Sequence, residues 1–316
     1  MRGGASVPPH FELDFMTEYF TYNTEPQVNP AMTADAPLWP DLNPRSEYSQ
    51  KMMQAKMVND ENYWPTLREV INHDIDTLPL ERFKVWASVW NIPFMSQAKH
   101  SQYIRICLNA ISQSPVYAQA LAEPLIGMTK EDYVNQFMMF HDYPTTMNRI
   151  QCMSHLLING YTPEVLEKMD TIVELGAGIG DMADIVHKLG FKGKYIIYDF
   201  PEVGRLQKWY HTQLGHENIV HTDNLDDLVD ADLLIATWSF TEMPFDLRAK
   251  ILERVGGTKN WLIAYSNLIF GMDNEKYIKE EFIPRFGEDY NVEITDIPFM
   301  PWDGGTHYLS VKKNEE

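Results

Sequence analysis

The sequence has few of the features that mark disulfide-bonded, zinc-binding or membrane-spanning proteins. Only two of its 316 residues are cysteines, and no zinc-ligand spacing occurs, so buried thiols are the default expectation. No uninterrupted apolar run reaches the length of about 18 residues that would span a membrane. The opening residues, MRGGASVPPHFELDF, contain no apolar segment of the kind found in secretory signals. We therefore expect a cytoplasmic protein.

Basic residues are also scarce. The chain has 26 Lys and Arg against 45 Asp and Glu, which gives a formal net charge of -19. Binding to nucleic acid through its phosphates needs clustered basic side chains, and an anionic membrane would repel this surface. We therefore expect no nucleic acid and no membrane among the partners.

The chain divides into three predicted parts. Residues 1–60 hold seven of the 19 prolines and many aromatic residues but no sustained periodicity. They predict an extended arm that packs on its own chain or on a second copy, with a homodimer through this N-terminal region as one option and a partly disordered leader as the other. Residues 61–164 show helical periodicity and predict an all-helical domain, and residues 165–316 form a third part. Five segments of the helical part are predicted as helices: 78–90, 102–112, 115–123, 129–141 and 145–159.

The third part is organised around a strand, a loop and a helix at 171–190, TIVELGAGIGDMADIVHKLG. Thr171–Leu175 is a short apolar run typical of a buried parallel strand, and the apolar positions after the loop recur with helical spacing. Between them Gly176, Gly178 and Gly180 allow a sharp turn and a close approach of a ligand to the backbone. A ligand site is therefore predicted at the carboxyl end of this strand.

The spacing of the glycines favours S-adenosylmethionine (SAM) over a dinucleotide. The dinucleotide pattern would require a third glycine where Asp181 stands. Glu174, two residues before the first glycine, would repel a pyrophosphate but suits an ammonium or a sulfonium. Asp199 ends the next predicted strand, 23 residues after Gly176, where a carboxylate can accept both ribose hydroxyls.

Strands and helices alternate from Gly190 to the C-terminal region, which predicts a mostly parallel sheet with helices on both faces. The last two predicted strands, 292–297 and 308–311, are joined by PFMPWDGGTH and predict a hairpin. One strand of that hairpin would run antiparallel to the rest of the sheet.

Four successive motifs, VELGAGIGD, YDFPEV, TDNLDDL and ADLLIATWSFTEMP, resemble those of class I SAM-dependent methyltransferases. YDFPEV and SFTEM resemble more narrowly the sugar O-methyltransferases. The resemblance covers about residue 145 to the C-terminus. It implies the Rossmann-like class I methyltransferase fold, an α/β fold whose seven-stranded, mostly parallel sheet has one antiparallel strand.

The resemblance also implies a set of cofactor-binding residues. Asp223 would hydrogen-bond the adenine amino group, with capping of the following helical turn as the alternative. Gln151, on a helix before the first strand, would line the methionine end of the cofactor. The full set is Gln151, Glu174, Gly176, Ala177, Gly178, Gly180, Asp199, Phe200, Asp223, Asn224 and Thr237.

The segment TWSFTEMP follows the fourth predicted strand and should face the reacting centre. It lacks the N-P-P-Y type of sequence used for amino groups of bases, so an oxygen nucleophile is favoured. A hydroxyl is a weak acid and benefits from a general base. We predict that Glu242 lies in the site and that His307 accepts the proton. A cofactor-positioning role for Glu242 and a solvated position for His307 remain open.

Two further expectations concern the metal and the acceptor. Asp223, Glu242 and Asp303 could supply oxygen ligands to a divalent metal, but no tight spacing demands one, so metal independence is expected. Trp238 and Trp302 are the aromatic residues that we single out for stacking on a sugar.

The sequence therefore predicts a SAM-dependent O-methyltransferase that acts on a hydroxyl of a sugar or another small molecule. The expected partner is a small-molecule or glycan acceptor. The alternative is a non-catalytic protein that binds SAM or a nucleotide and serves an assembly role.

Overall fold

The structure is a computed structural model that describes residues 63–86, 89, 109–110, 114–122, 125–130, 144–297 and 305–314. All of these belong to one compact unit, Asp41–Glu316. The predicted arm, residues 1–60, lies outside the described residues, as do most of segments 102–112 and 129–141 and the residues Trp302 and Asp303. The predicted domain borders stay predictions.

A seven-stranded sheet forms the centre of the described chain, in the order β3-β2-β1-β4-β5-β9-β8. Its strands are β1 Thr171–Leu175, β2 Lys194–Tyr198, β3 Ile219–Thr222, β4 Leu233–Thr237, β5 Asn260–Ser266, β8 Tyr290–Asp296 and β9 Thr306–Lys313. Strands β1 to β5 pair in parallel, whereas β9 runs antiparallel to both of its neighbours. The predicted α/β fold with one antiparallel strand is confirmed.

Helices cover both faces of this sheet and lie before it in the chain. They are α1 Tyr63–Thr77, α2 Pro115–Leu121, α3 Pro144–Ile158, α4 Pro163–Leu166, α5 Asp181–Lys188, α6 Pro201–Gln213, α7 Ser239–Glu242, α8 Phe245–Val255 and α9 Asn274–Tyr277. Helix α1 packs on α6, and α2 and α3 pack on α5. None of the helices in the described ranges is long and apolar enough to cross a membrane. The cytoplasmic location stays a prediction.

The main core lies between the sheet and the helical layer that includes α8. It contains apolar side chains of β1, β4, β5 and β9, such as Val173, Leu234, Ile263 and Leu309, all of them fully buried. A strand that is buried on both faces reads as a continuous apolar run, which is why the sequence predicts β1 and β4 with the observed ends.

The segment from Leu78 is not the regular helix that its apolar spacing predicts. It forms a 3-10 turn over Leu80–Val85, in which Arg82 has a non-helical φ of -124°, and the chain is extended at Trp86. Tertiary contacts explain the difference. The Lys84 amide donates to Gly127 O at 2.8 Å, and its buried ammonium donates to the Tyr210 hydroxyl at 3.1 Å.

Two other local differences occur after β5. A short hairpin, β6 Leu268–Ile269 and β7 Met272–Asp273, precedes α9 and has no counterpart in the sequence prediction. Its two turn residues, Phe270 and Gly271, have φ of 48° and 75°, as a tight hairpin requires. The helix predicted over about 274–284 is instead α9 followed by a π turn and a 3-10 turn that end at Arg285.

Candidate active site

A cavity of about 740 Å³ opens at the carboxyl edge of the parallel strands. The loops after β1, β2, β3 and β4 all contribute to its wall, which is where open α/β sheets bind ligands. Seven of the residues that it gathers from these loops are Gly176, Gly178, Asp199, Phe200, Asp223, Ser239 and Glu242. The sequence predicted all of these except Ser239 as site residues.

The glycine loop adopts conformations that other residues rarely adopt. Gly176, Gly178 and Gly180 have φ of 65°, 56° and 91°. A Cβ on Gly176 would lie 2.4 Å from the Ser239 Cβ, and one on Gly180 would lie 2.6 Å from the His211 Nε2. Gly176 and Gly178 also line the cavity, so a ligand there meets backbone rather than side chain.

Asp199 is held at the end of β2 by three donors. The Ala177 amide and the Gln207 side chain donate to Oδ2 at 3.0 and 2.8 Å, and the Phe200 amide donates to Oδ1 at 2.8 Å. Burial raises the pKa of Asp199 to about 6, although these hydrogen bonds act in the opposite direction. The carboxylate therefore has a fixed orientation at the cavity wall. Ala177 contributes to this arrangement through its backbone amide and not through its side chain.

Glu174 is not among the residues that line the cavity. Its side chain is buried within the sheet layer and accepts a hydrogen bond from the Tyr195 hydroxyl at 2.8 Å. Burial raises the pKa of Glu174 to about 8, with further contributions from Asp199 and Asp181. A direct contact with a cationic ligand group therefore finds no support in its position.

Asp181, the residue that argued against a dinucleotide, begins α5 and is completely enclosed. It accepts hydrogen bonds from Asn148 at 2.7 Å, Arg149 at 3.1 Å and Tyr210 at 3.0 Å, and the Lys84 ammonium lies 3.8 Å away. Burial alone would raise the pKa of Asp181, but the two cations outweigh it and lower the pKa. Asp181 thus joins the preceding helices to α5.

Of four other predicted cofactor residues, Asp223 lines the cavity and the other three do not. Asp223 lines the cavity and is exposed, whereas the Asn224 side chain caps the next turn by accepting from the Asp226 amide at 3.2 Å. Thr237 ends β4 without lining the cavity. Gln151 is also outside the cavity wall, and its buried Oε1 has no partner among the described residues.

Glu242 and His307, the two candidate bases, are not brought together. Glu242 lies in α7, lines the cavity and faces Tyr63 of α1, whose pKa is raised by burial and by the Glu242 charge. Burial raises the pKa of Glu242 to about 7. A carboxylic acid that titrates near neutrality suits general-base chemistry.

His307 lies at the start of β9 and is not among the cavity-lining residues. Its Nδ1 is 2.9 Å from Asp296 Oδ1, within ion-pair distance but outside hydrogen-bond geometry, and its ring centroid is 5.3 Å from that of Tyr265. These contacts hold His307 between β5, which contains Tyr265, and β8, which contains Asp296.

Helix α1 closes one side of the cavity with residues that the sequence analysis did not select. Arg68 donates to both carboxylate oxygens of Glu202 at 3.0 Å, and its guanidinium carbon is 4.7 Å from the Phe200 ring centroid. This pair fixes α1 to the start of α6. The residues that α1 places on the cavity are Trp64, Pro65, Leu67, Arg68 and Ile71.

The remaining wall comes from the segment after β4 and from the β6–β7 hairpin. It contains Met243, Pro244, Leu247, Phe270 and Met272. Trp238, which was expected to stack on a sugar, is not part of it and packs instead with its ring centroid 5.3 Å from His155. The described residues contain no group of three or more His, Cys, Asp or Glu side chains placed to hold a metal ion. Metal independence stays an expectation.

No protein-family model matches the sequence, and no curated protein matches it significantly. Solved structures with a similar fold cover about half of this chain. An rRNA methylase from Streptococcus thermophilus is 17% identical over 52% of this chain and 95% of its own, with a TM-score of 0.38. A SAM-dependent methyltransferase from Aquifex aeolicus is 18% identical over 51% and 88%, with a TM-score of 0.37. The ribosomal protein L11 methylase from Lactobacillus delbrueckii subsp. bulgaricus is 14% identical over 52% and 80%, also with a TM-score of 0.37.

All three are described as methylases or methyltransferases, and the one from Aquifex aeolicus is described as SAM-dependent, SAM being the cofactor that the sequence predicts. They also correct one expectation. The net charge of -19 was taken to exclude nucleic acid, yet a similar fold occurs in an rRNA methylase, so that exclusion was wrong. Net charge is a sum over the whole chain and does not describe the groups at one cavity.

Proposed function

We propose that this chain is a SAM-dependent methyltransferase that acts on a hydroxyl group, with Glu242 as its general base. The observation that supports this most is the convergence of the glycine loop, Asp199 and Glu242 on one cavity. The first two are the parts that a SAM site needs, and the third is a carboxyl whose pKa is raised to about 7.

The residues present fit the cofactor. Gly176 and Gly178 leave free the space in which a Cβ would meet a ligand, and Asp199 offers an oriented carboxylate to the ribose hydroxyls. Asp223 stands at the end of β3, where it can accept from the adenine amino group. When bound, SAM supplies a methyl group on an activated sulfonium leaving group.

The protein then has to hold the acceptor in line and take its proton. We choose Glu242 among the three carboxyls of the cavity wall because its pKa is raised to about 7 and because Asp199 and Asp223 are already assigned to the ribose and the adenine. We therefore assign proton transfer to Glu242 and not to His307. The apolar side chains of α1 and of the β6–β7 hairpin exclude water around it.

The resemblance of YDFPEV and SFTEM to sugar O-methyltransferases makes sugar hydroxyls the first acceptors to test. RNA oligonucleotides belong in the same screen, since a similar fold occurs in an rRNA methylase. A methyl transfer that is detected by mass spectrometry identifies both the acceptor and the methylated atom.

Replacement of Glu242 by Gln tests its role as base. The amide keeps the size of the side chain but cannot take a proton, so we expect kcat to fall by roughly 10²- to 10⁴-fold while SAM affinity stays within about twofold. Glu253→Gln, an exposed change on α8, is the matched control and should leave both quantities unchanged. An unaltered kcat in Glu242→Gln would remove Glu242 from the mechanism.

A further inference from the structure

A completely buried arginine lies directly behind the cavity wall. Arg248, on α8, has no exposed surface, and its guanidinium carbon lies 4.6 and 4.7 Å from the ring centroids of Phe245 and Tyr277. The acceptors that it bonds in the described ranges of the chain are carbonyl, amide and thioether groups, and its Nη1 has no hydrogen-bond partner there. Glu281 acts on Arg248 electrostatically but does not bond it. A buried cation without a directly bonded counter-ion is costly, so its retention calls for a specific reason.

The bonds that Arg248 does make fall on both sides of Glu242. Its Nε donates to the Met243 carbonyl at 2.8 Å, and its Nη2 donates to the Thr241 carbonyl at 2.7 Å. Glu242 stands between these two residues. One guanidinium therefore fixes the peptide groups on either side of the proposed base.

The same Nη2 also reaches the other wall of the cavity. It donates to Asn274 Oδ1 at 2.8 Å and lies 3.5 Å from the sulfur of Met272, which lines the cavity. Asn274 in turn donates to the Ser266 carbonyl at the end of β5. Arg248 thus ties the Glu242 turn to the β6–β7 hairpin and to the sheet.

We propose that Arg248 is a positioning residue of the active site, which holds the Glu242 turn and the β6–β7 hairpin as one rigid wall. The proposal rests on the function assigned to Glu242 above. The planar fork of an arginine bonds two carbonyls and an amide oxygen in fixed directions from two nitrogens, whereas the donors of an ammonium rotate about a single nitrogen. Loss of this link should let the turn move and admit water to Glu242.

The test uses Arg248→Met and Arg248→Lys in the full chain, with Lys250→Met as the control. Lys250 is an exposed cation on the same helix, so this control removes one charge without touching the turn. We expect kcat to fall by about 10²-fold in Arg248→Met, the loss typical of a misplaced catalytic group, with SAM affinity unchanged. Arg248→Lys should show a smaller loss, because it restores one of the bonds.

A second readout does not depend on turnover. Titration of the Glu242 carboxyl by ¹³C NMR should show a pKa near 7 in the parent protein and a lower pKa in Arg248→Met, because water reaches the freed side chain. If Arg248→Met fails to fold, Asn274→Ala removes one of the same links and should move the pKa in the same direction. The Glu242 pKa thus tests the positioning role even if no acceptor is methylated.

An unchanged Glu242 pKa and unchanged kcat in a folded Arg248→Met, with only a lower melting temperature, would overturn the proposal and leave Arg248 a structural residue. A shifted pKa in a protein that methylates no acceptor would uphold the positioning of Glu242 and refute the proposed reaction. The two failures are therefore distinguishable.

Discussion

At the scale of single residues, the candidate site depends on which way each side chain points. Gly176, Gly178 and Asp199 could be selected from the sequence because their roles follow from backbone position after a strand. Glu174 could not be oriented in this way. It alternates with Val173 and Leu175 and shares the face of Ile172, whose partner on β2 is Tyr195, so its side chain meets the Tyr195 hydroxyl.

The choice between His307 and Glu242 as the base likewise depends on tertiary structure, which the local sequence does not reveal. Histidine has the more suitable ordinary pKa for a base near pH 7, which favoured His307 in the sequence. The pKa of Glu242 reaches about 7 only because the fold places this half-buried side chain of α7 against α1. Burial depends on tertiary packing, and the local sequence SFTEM contains no signal for it.

Glu174 carries a stability prediction that follows from its pKa of about 8. In the unfolded chain it ionises near pH 4.5, whereas the folded protein keeps it protonated to about pH 8. The folded state therefore binds more protons in this window, and the free energy of unfolding falls as pH rises, by up to about 1.4 kcal/mol per pH unit for this group.

Chemical denaturation between pH 6.5 and 8 measures this slope. The deeply buried His155 and His211, whose pKa values burial lowers from 6.5 to about 3, are partly protonated only in the unfolded chain near pH 6.5 and oppose the decline there, so the contribution of Glu174 is the difference in slope between the parent and Glu174→Gln. Glu174→Gln should flatten the decline, while Glu167→Gln, an exposed change near α4, should not. A slope that is equal in the parent and in Glu174→Gln would contradict the raised pKa.

At the scale of elements, the buried charges around Asp181 connect the helices before the sheet to α5. Arg149 of α3 bonds Asp181 at 3.1 Å and also lies 2.7 Å from Asp184, while Lys84 approaches from the 3-10 turn. All four side chains are fully buried. The residues before β1 thus complete the packing of α5 instead of standing apart as a separate layer.

Asp181→Asn tests this connection. The amide removes the charge and leaves Lys84 and Arg149 buried with less compensation, so we expect a loss of about 3–5 kcal/mol in the free energy of unfolding. Asp246→Asn is the control, because its pair with Lys250 on α8 is exposed and at 3.7 Å contributes at most about 0.5 kcal/mol. A urea titration that finds the two variants equally stable would refute the role of the buried cluster.

The elements themselves were predictable to different degrees. The sequence predicts β1 and β4 with their observed ends because a short, mostly apolar run is typical of a strand that is buried on both faces. The sequence predicts helical structure in the region of α1 but gives no ends for this helix, and it does not predict the β6–β7 hairpin. Both are fixed by contacts with distant residues, namely Glu202 for α1 and Arg248 for the hairpin.

At the scale of the whole molecule, the order of the strands in the sheet explains where the cavity lies. Strand β1 lies inside the sheet between β2 and β4, so the loops after these three parallel strands meet at one edge. Helix α1, from the part of the chain before the sheet, then covers the cavity that this edge creates. The alternation of strands and helices predicts the first of these facts, while the second depends on long-range packing.

Isothermal titration with SAM, and in parallel with NAD, tests the central claim most directly. We predict binding of SAM with a Kd on the order of micromolar and no binding of NAD. Gly178→Val should abolish SAM binding, because a β-branched residue is strained at φ of 56° and would fill the cavity wall. Gly204→Ala, whose Cβ meets nothing within 4 Å on α6, should bind as the parent does. Absence of SAM binding to the folded parent protein, or undiminished binding to Gly178→Val, would contradict the account.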